Sequence, residues 1–361
     1  MYYALNPRTL ESSDPFYRLM RILAIDIGAG TQDILLFDSR KNIENSISLV
    51  LPTPSRVLAN RLRALESNIF VRGDTIGGGS LTQAILQHLG KGHRVVMEEP
   101  AAYSIRNDLD EVKSMGIDIG DRPSTGDFTD FEIREIDLPL LENFLENFGE
   151  NLDVDVIAIA VQDHGVAPKE ISDRAFRFEK TEAMLRRDNR PESFHFTEGS
   201  IPGYYLRMRS AVAAVRRGSK SPVLVMDTAF SAILGCLDEV AGPSLIVNVG
   251  NGHTIAALVV DQRVEGIYEH HTHELTSKRL ENDLRRFVRG ELRSHEVFEA
   301  NGHGAITLKP WEGEAGVVVT GPHREIFKGT SFKFVYAAPG GNTMMTGPVG
   351  LIKASLFSFR K

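Results

Sequence analysis

Residues 21–39 read RILAIDIGAGTQDILLFDS. Ile22, Leu23, Ala24, Ile25 and Ile27 predict a buried strand that carries Asp26 near its end. Ile34, Leu35, Leu36 and Phe37 predict a second. Two apolar runs joined by a short glycine turn make a β-hairpin. The turn between them is small and polar: Asp26, Gly28, Gly30, Thr31, Gln32 and Asp33. Glycine lets backbone N–H groups come close to a ligand, because no Cβ stands in the way. A nest of such groups binds phosphate oxygens, and an adjacent carboxylate can hold magnesium through water. The chain has no GxxxxGK[ST], which excludes a P-loop. It has no GxGxxG leading into a helix, which argues against a dinucleotide fold.

Residues 244–261, SLIVNVGNGHTIAALVVD, repeat the pattern. An apolar strand meets the turn Gly250-Asn251-Gly252-His253-Thr254, and a second apolar strand follows. Residues 317–323, VVVTGPH, run a further strand into Gly321. Taken in this order, the three stretches resemble the two phosphate-binding hairpins and the adenosine-binding glycine turn of the actin, Hsp70 and sugar-kinase superfamily. VNVGNGHT is similar to the second phosphate motif of acetate kinase. The resemblance runs from residue 22 to residue 350. It implies an α/β protein of duplicated ribonuclease H-like (actin-like ATPase) domains with a cleft between them, and ATP with Mg2+ as cofactors. On it, Asp26 positions the metal, and the N–H groups of Gly28, Gly30, Gly250, Asn251 and Gly252 cradle phosphates. Thr31, Gln32 and His253 belong to the same turns, and Gly321 lets the nucleoside approach the backbone. The chain departs from the pattern twice. Asn248 stands where many members have aspartate, and Thr320-Gly321-Pro322 stands where a Gly-Gly pair is usual.

DIGAGTQD, VQDHG, MDT and PGGNTMMTGPVG together also resemble a narrower prokaryotic family. Its members carry the label "pyruvate formate-lyase activating enzyme-related". A radical activase of that kind needs three cysteines for its iron–sulfur cluster. This chain has one, Cys236, within the apolar run AFSAILGCL, where a small thiol reads as core. The labelled chemistry is therefore rejected and the fold retained.

With 361 residues the chain is long enough for two domains with sizeable cores. A net charge of −7 gives no global support for nucleic-acid binding. The single cysteine excludes a disulfide framework and fits a reducing cytoplasm. No run of 18 apolar residues predicts a membrane-spanning helix. Residues 1–19 lack the apolar centre of a signal peptide and read as an N-terminal tail, or as the product of an upstream start codon. Ala241-Gly242-Pro243 divides a first domain, 20–240, from a second, 241–361. Residues 166–200, rich in arginine and weakly periodic, read as an insertion whose Arg174, Arg177, Arg186, Arg187 and Arg190 are solvated.

Further candidates stand at strand ends. VDVIAIAV, 154–161, is apolar throughout, as a doubly buried strand should be, and runs into Gln162-Asp163-His164-Gly165. Polar groups at such ends line the crevice of an open α/β sheet. Asp163 reads as a general base or as a turn cap. The strand 223–226 ends in Asp227-Thr228, which makes Asp227 the second catalytic carboxylate. Gly77-Gly78-Gly79 precedes a helix capped by Ser80 and reads first as a plain strand-to-helix connection. His270, His271 and His273, flanked by Glu269 and Glu274, raise a metal site. Adjacent strand residues face opposite sides, so at most two of the three can meet one ion. The expected function is a nucleotide-binding protein that hydrolyses ATP or transfers its γ-phosphate to an unidentified small-molecule acceptor. The alternative is a non-catalytic, nucleotide-dependent scaffold or regulator.

Overall fold

The computed structural model describes residues 20–359, so the expected tail, 1–19, lies outside the described residues. In chain order the strands are β1 Arg21–Ile27, β2 Thr31–Asp38, β3 Ile47–Pro52, β4 Asn68–Gly73, β5 Val95–Met97, β6 Asp118–Ile119, β7 Phe128–Ile133 and β8 Val156–Val161. They continue as β9 His195–Thr197, β10 Val223–Met226, β11 Ser244–Val249, β12 His253–Val260, β13 Arg263–His271, β14 Gly304–Thr307, β15 Gly316–Thr320 and β16 Phe334–Tyr336.

One sheet has the order β3-β2-β1-β8-β10-β9, and a second has β14-β13-β12-β11-β15-β16. In each, three consecutive strands form an antiparallel meander, and two later strands lie parallel to its first strand. The shared β3-β2-β1-β8-β10 and β13-β12-β11-β15-β16 cores are one topology used twice. This is the duplicated ribonuclease H-like, actin-like arrangement, and each copy opens with one of the glycine hairpins quoted above.

Between β3 and β8 the chain builds a third, all-parallel sheet, β6-β5-β4-β7, with its own core around Leu62, Ile69, Val71, Leu81 and Ile85. Reading the strands one by one does not show that these four pair apart from the rest, because pairing is non-local. The helix after β4 runs Gly79–Gly90 with Gly78 as its cap, so Ser80 lies inside it and does not cap it.

Alternation of side chains along β1 and β8 feeds two cores. Leu23, Ile25, Ile157 and Ile159 pack on helices Leu138–Glu146 and Leu206–Arg216. Ile22, Ala24, Ala158 and Ala160 face the opposite way. There helices Thr228–Gly235 and Thr346–Ser358 fill the space between the two large sheets and meet Ile246, Ala257 and Val318 of the second. Apolar on nearly every side, Thr346–Ser358 is buried as such a helix must be. It packs on β1, β2 and β8, so the end of the chain, placed in the second domain by sequence, lies against the first sheet.

The expected insertion is also corrected. Residues 166–200 contain the helix Asp173–Arg187 and the edge strand β9, which joins the first sheet. Arg177 is buried at 4% exposure, not solvated. Among the described residues no helix is long and apolar enough to cross a membrane.

The two central helices touch through glycines. A Cβ on Gly350 would meet the Ser231 carbonyl oxygen, and one on Gly235 the Thr346 carbonyl oxygen. Overpacking of this kind costs about 1–3 kcal/mol. Gly350→Ala is expected to lower the urea midpoint accordingly. Gly90→Ala, at a helix end with nothing within 4 Å, should leave the midpoint unchanged or raise it. Equal midpoints for wild type and Gly350→Ala would show that the helix pair can separate freely.

Candidate functional site

The two hairpins point at one another across the junction of the large sheets. Gly30 of the first lies against Asn251 of the second, and a Cβ there would come within 2.9 Å of the Asn251 side-chain nitrogen. Each turn closes on itself. The Gly28 N–H donates to the Thr31 carbonyl at 2.9 Å, and the Gly250 N–H to the His253 carbonyl at 2.9 Å. These two amides are therefore committed to the turns, contrary to the expectation that they cradle phosphates. Thr31 donates to the Asp33 carboxylate, and the Gln32 amide donates to the Pro52 carbonyl. Gly321 adopts φ 93° and packs against the Val249 carbonyl and Asn248. Its missing side chain makes room for β11, not for a nucleoside.

A cavity of about 310 Å³ opens beside the first hairpin, between it and the third-sheet unit. Gly28 and Ala29 form one wall, and Gly77, Gly78 and Gly79 another. Gln162, Asp163, His164, Arg207 and Thr228 close its inner end. The Gly77–Gly79 stretch, read from sequence as a plain connection, is thus part of a concave site. The helix it opens, Gly79–Gly90, has Gly78 as N-cap, and Ser55 Oγ accepts the Leu81 N–H of its first turn at 3.1 Å. Arg207 is held by the buried Glu135 at 2.8 Å and donates to the Gln162 carbonyl at 2.9 Å. The other Glu135 oxygen accepts the Gly77 N–H at 3.1 Å. This Arg207–Glu135–Gly77 brace gave no sequence signal, since its members lie far apart in the chain.

Both candidate bases are engaged. Asp163 accepts the Gly165 N–H at 2.9 Å through one oxygen and the Met208 N–H at 3.0 Å through the other. Burial pushes its pKa up, against those hydrogen bonds. The turn-cap reading of Asp163 describes this geometry, and the general-base reading does not. Asp227 caps helix Thr228–Gly235 through the Ala229 N–H at 3.0 Å and receives Arg177 at 2.8 Å. It is a structural carboxylate as well.

Asp26 accepts the Thr228 hydroxyl at 2.6 Å and does not line the cavity. Its other oxygen lies against Gly347. Burial, joined by the neighbouring Asp33 and Asp227 and opposed by the Thr228 hydrogen bond, pushes its pKa up to about 8. Asp33, opposite it on β2, is pushed up to about 6 by burial. A magnesium ion held through Asp26 does not fit this packed position, where Thr228 stands between the carboxylate and the cavity and Gly347 covers its other oxygen.

A second group of polar residues closes the junction. The Arg177 guanidinium bridges Asp227, which follows β10 of the first sheet, and Glu269, on β13 of the second, at 2.8 and 2.7 Å. Next to it lie His164 after β8, His253 at the start of β12 and His303 just before β14, with ring centroids 4.8 to 6.1 Å apart. Burial pushes His253 down to about 3 and His303 to about 2, and holds His164 well below the usual histidine range. Nearby Arg177 adds to each shift, so all three rings are neutral. Among the described residues, His270, His271 and His273 do not gather as a three-ligand group, within the limit of two that strand geometry sets. His270 is taken up by Arg279 at 2.9 Å, and His273 faces solvent beside Glu274. His271 alone turns toward the new group, its ring 4.9 Å from that of His253. His303 had one sequence signal, its place in the loop Asn301-Gly302-His303-Gly304.

Residues 76–326 match the family described as "Putative pyruvate format-lyase activating enzyme (DUF1786)". No curated protein matches the chain. Among solved structures, the ethanolamine utilization protein EutJ from Carboxydothermus hydrogenoformans aligns at 10% identity and TM-score 0.34, covering 96% of this chain and 93% of that one. MreB5 of Spiroplasma citri bound to ADP aligns at 11% identity and TM-score 0.34, covering 96% and 98%.

The raised pKa of Asp26 links stability to pH. The folded state holds its proton up to about pH 8, whereas the unfolded chain releases it near 3.8. The stability from the protonated form is complete below pH 3.8 and is lost as pH rises through 8. Asp26→Asn should therefore raise the melting temperature at pH 8, by up to about 3–5 kcal/mol of stability, with the difference vanishing toward pH 4. Melting curves for both proteins across that range decide it. A constant difference at all pH values would mean that Asp26 stays ionised in the fold.

Proposed function

The chain belongs to the family of that match, and we propose that it acts as a nucleotide-binding protein of the actin-like fold, with ATP as its ligand. The activating chemistry in the family's description does not transfer to these residues. An iron–sulfur activase needs three cysteines, and the single Cys236 is fully buried.

One observation carries the nucleotide reading. The amino end of the helix Gly79–Gly90, whose N-cap Gly78 has no side chain, opens into the 310 Å³ cavity, facing the Gly28–Ala29 turn. Ser55 Oγ takes the Leu81 N–H at 3.1 Å, and the first turn still directs its earliest N–H groups and the positive end of the helix dipole at the cavity, which together favour a phosphate. Glycines on both walls let the backbone approach it. Arg207 adds a guanidinium at the inner end, braced by Glu135.

Two uses of bound ATP follow from this site. Hydrolysis, or transfer of the γ-phosphoryl group to a small-molecule acceptor, is mostly positioning and charge stabilisation and makes modest demands on a base. A nucleotide-dependent scaffold or regulator needs no base at all. The commitment of both Asp163 and Asp227 to structural hydrogen bonds favours this second use.

Ligand binding to the folded state alone stabilises it by about 2.7 kcal/mol at one hundred times Kd. ATP or ADP at millimolar concentration, with and without magnesium, should raise the melting temperature by several degrees. Ala29→Glu places a carboxylate at the cavity wall from an exposed turn position, so it should abolish the shift without lowering basal stability. Equal shifts in both proteins, or no shift with any nucleotide, would refute the assignment. Phosphate release in the same samples separates the two uses.

A further inference from the structure

We propose that His164, His253 and His303 bind one divalent transition-metal ion at the junction of the two large sheets. The inference is independent of the nucleotide reading and uses different atoms. One ring nitrogen from each residue lies within 4.8 Å of the other two. Nitrogens bound to one zinc ion at about 2.0–2.1 Å sit roughly 3.3 Å apart, so a small rotation of the rings brings all three into ligand range.

The unpaired polar atoms at this spot point the same way. His303 is 2% exposed, and neither of its ring nitrogens has a hydrogen-bond partner. His253 Nε2 has none, and the same is true of Oε2 of the fully buried Glu269. Buried polar groups are almost always paired, and several orphans in one place call for a ligand. A metal ion would satisfy the three imidazoles together. Glu269 Oε2 is then the nearest spare acceptor for a water on that ion.

The supporting residues are those a metal site needs. His253 Nδ1 lies 2.7 Å from the Gln162 side-chain amide. The amide nitrogen is the nearer atom, so a metal on Nε2 requires the Gln162 amide turned over, its oxygen then accepting from Nδ1–H. The His303 N–H donates to the Glu269 carbonyl at 3.0 Å, and Arg174 donates to the Gly302 carbonyl at 2.7 Å, which pins the loop that carries His303. Three imidazoles and no thiolate suit zinc, iron(II) or cobalt(II), whereas magnesium and calcium take oxygen ligands. Three protein ligands leave a coordination position open, the pattern of a catalytic and not a structural zinc site. His164 also lines the 310 Å³ cavity, so an exchangeable ligand on the ion is reachable from there.

The test is metal titration of the full chain after chelator stripping, without nucleotide. Co2+ should bind at one per chain with visible d–d absorption, and Zn2+ should displace it. His303→Ala should weaken Co2+ affinity by about 100-fold or more, since even residues outside the ligand shell cost 10–100-fold. His273→Ala, at an exposed position, should match wild type. Circular dichroism checks the fold of each variant. If His303→Ala is unfolded, His164→Gln, at a partly exposed position, carries the same expectation. The proposal is overturned if the wild-type chain takes up no Co2+ at micromolar concentration. It is equally overturned if folded His303→Ala and His164→Gln both take up Co2+ with wild-type affinity.

Discussion

The structure depends on one buried cation. Arg177 reaches from the helix Asp173–Arg187 into the junction and ties Asp227 of the first sheet to Glu269 of the second. All three side chains are nearly or fully buried. Desolvating such a group is costly, and the cost is recovered only when every charge is paired with good geometry. The knot is therefore an all-or-none element, because removing any member leaves an unpaired buried charge. Its effect is positional. It sets the second hairpin against the first and brings His253 and His303 to His164.

The same economy of charge explains why the obvious catalytic carboxylates are not free. Asp163 and Asp227 stand at the ends of central parallel strands, where open α/β sheets place their sites. In this chain the positions cap helix starts and anchor arginines. Around the cavity stand glycine backbone, hydroxyls and amides, one braced guanidinium, one imidazole and the already bonded Asp163. Such a surface suits an anionic ligand better than it suits proton abstraction. Asp26 is the exception, a carboxylate buried with only a hydroxyl for support. A group kept where it opposes folding marks a site where stability has been traded for something else.

The neutral histidines fit the same picture. Burial and the neighbouring guanidinium both work against protonation, so the rings are left with lone pairs. At the junction, the ring nitrogens of His303, Nε2 of His253 and one oxygen of Glu269 are the buried polar atoms left without partners.

The sequence alone determined the duplicated fold. Each half opens with an apolar strand, a glycine turn and a second apolar strand, and alternation within each strand is a local property that needs no partner to be seen. It also determined that the labelled iron–sulfur chemistry lacks its ligands, since that is a matter of counting cysteines. Only the tertiary structure decided what the polar residues do. Asp163 and Asp227 look alike at strand ends, and whether an oxygen is free depends on amides and guanidiniums dozens of residues away. Arg177 sits in a stretch whose periodicity reads as solvated, because the pattern of a helix buried by ion pairing is not apolar. His164, His253 and His303 come from three separate segments, so no local spacing could link them. His270 and His271 are adjacent in sequence and yet point apart, one to Arg279 and the other to His253. Neighbours along a strand diverge, and the folding of two sheets against each other brings distant residues together.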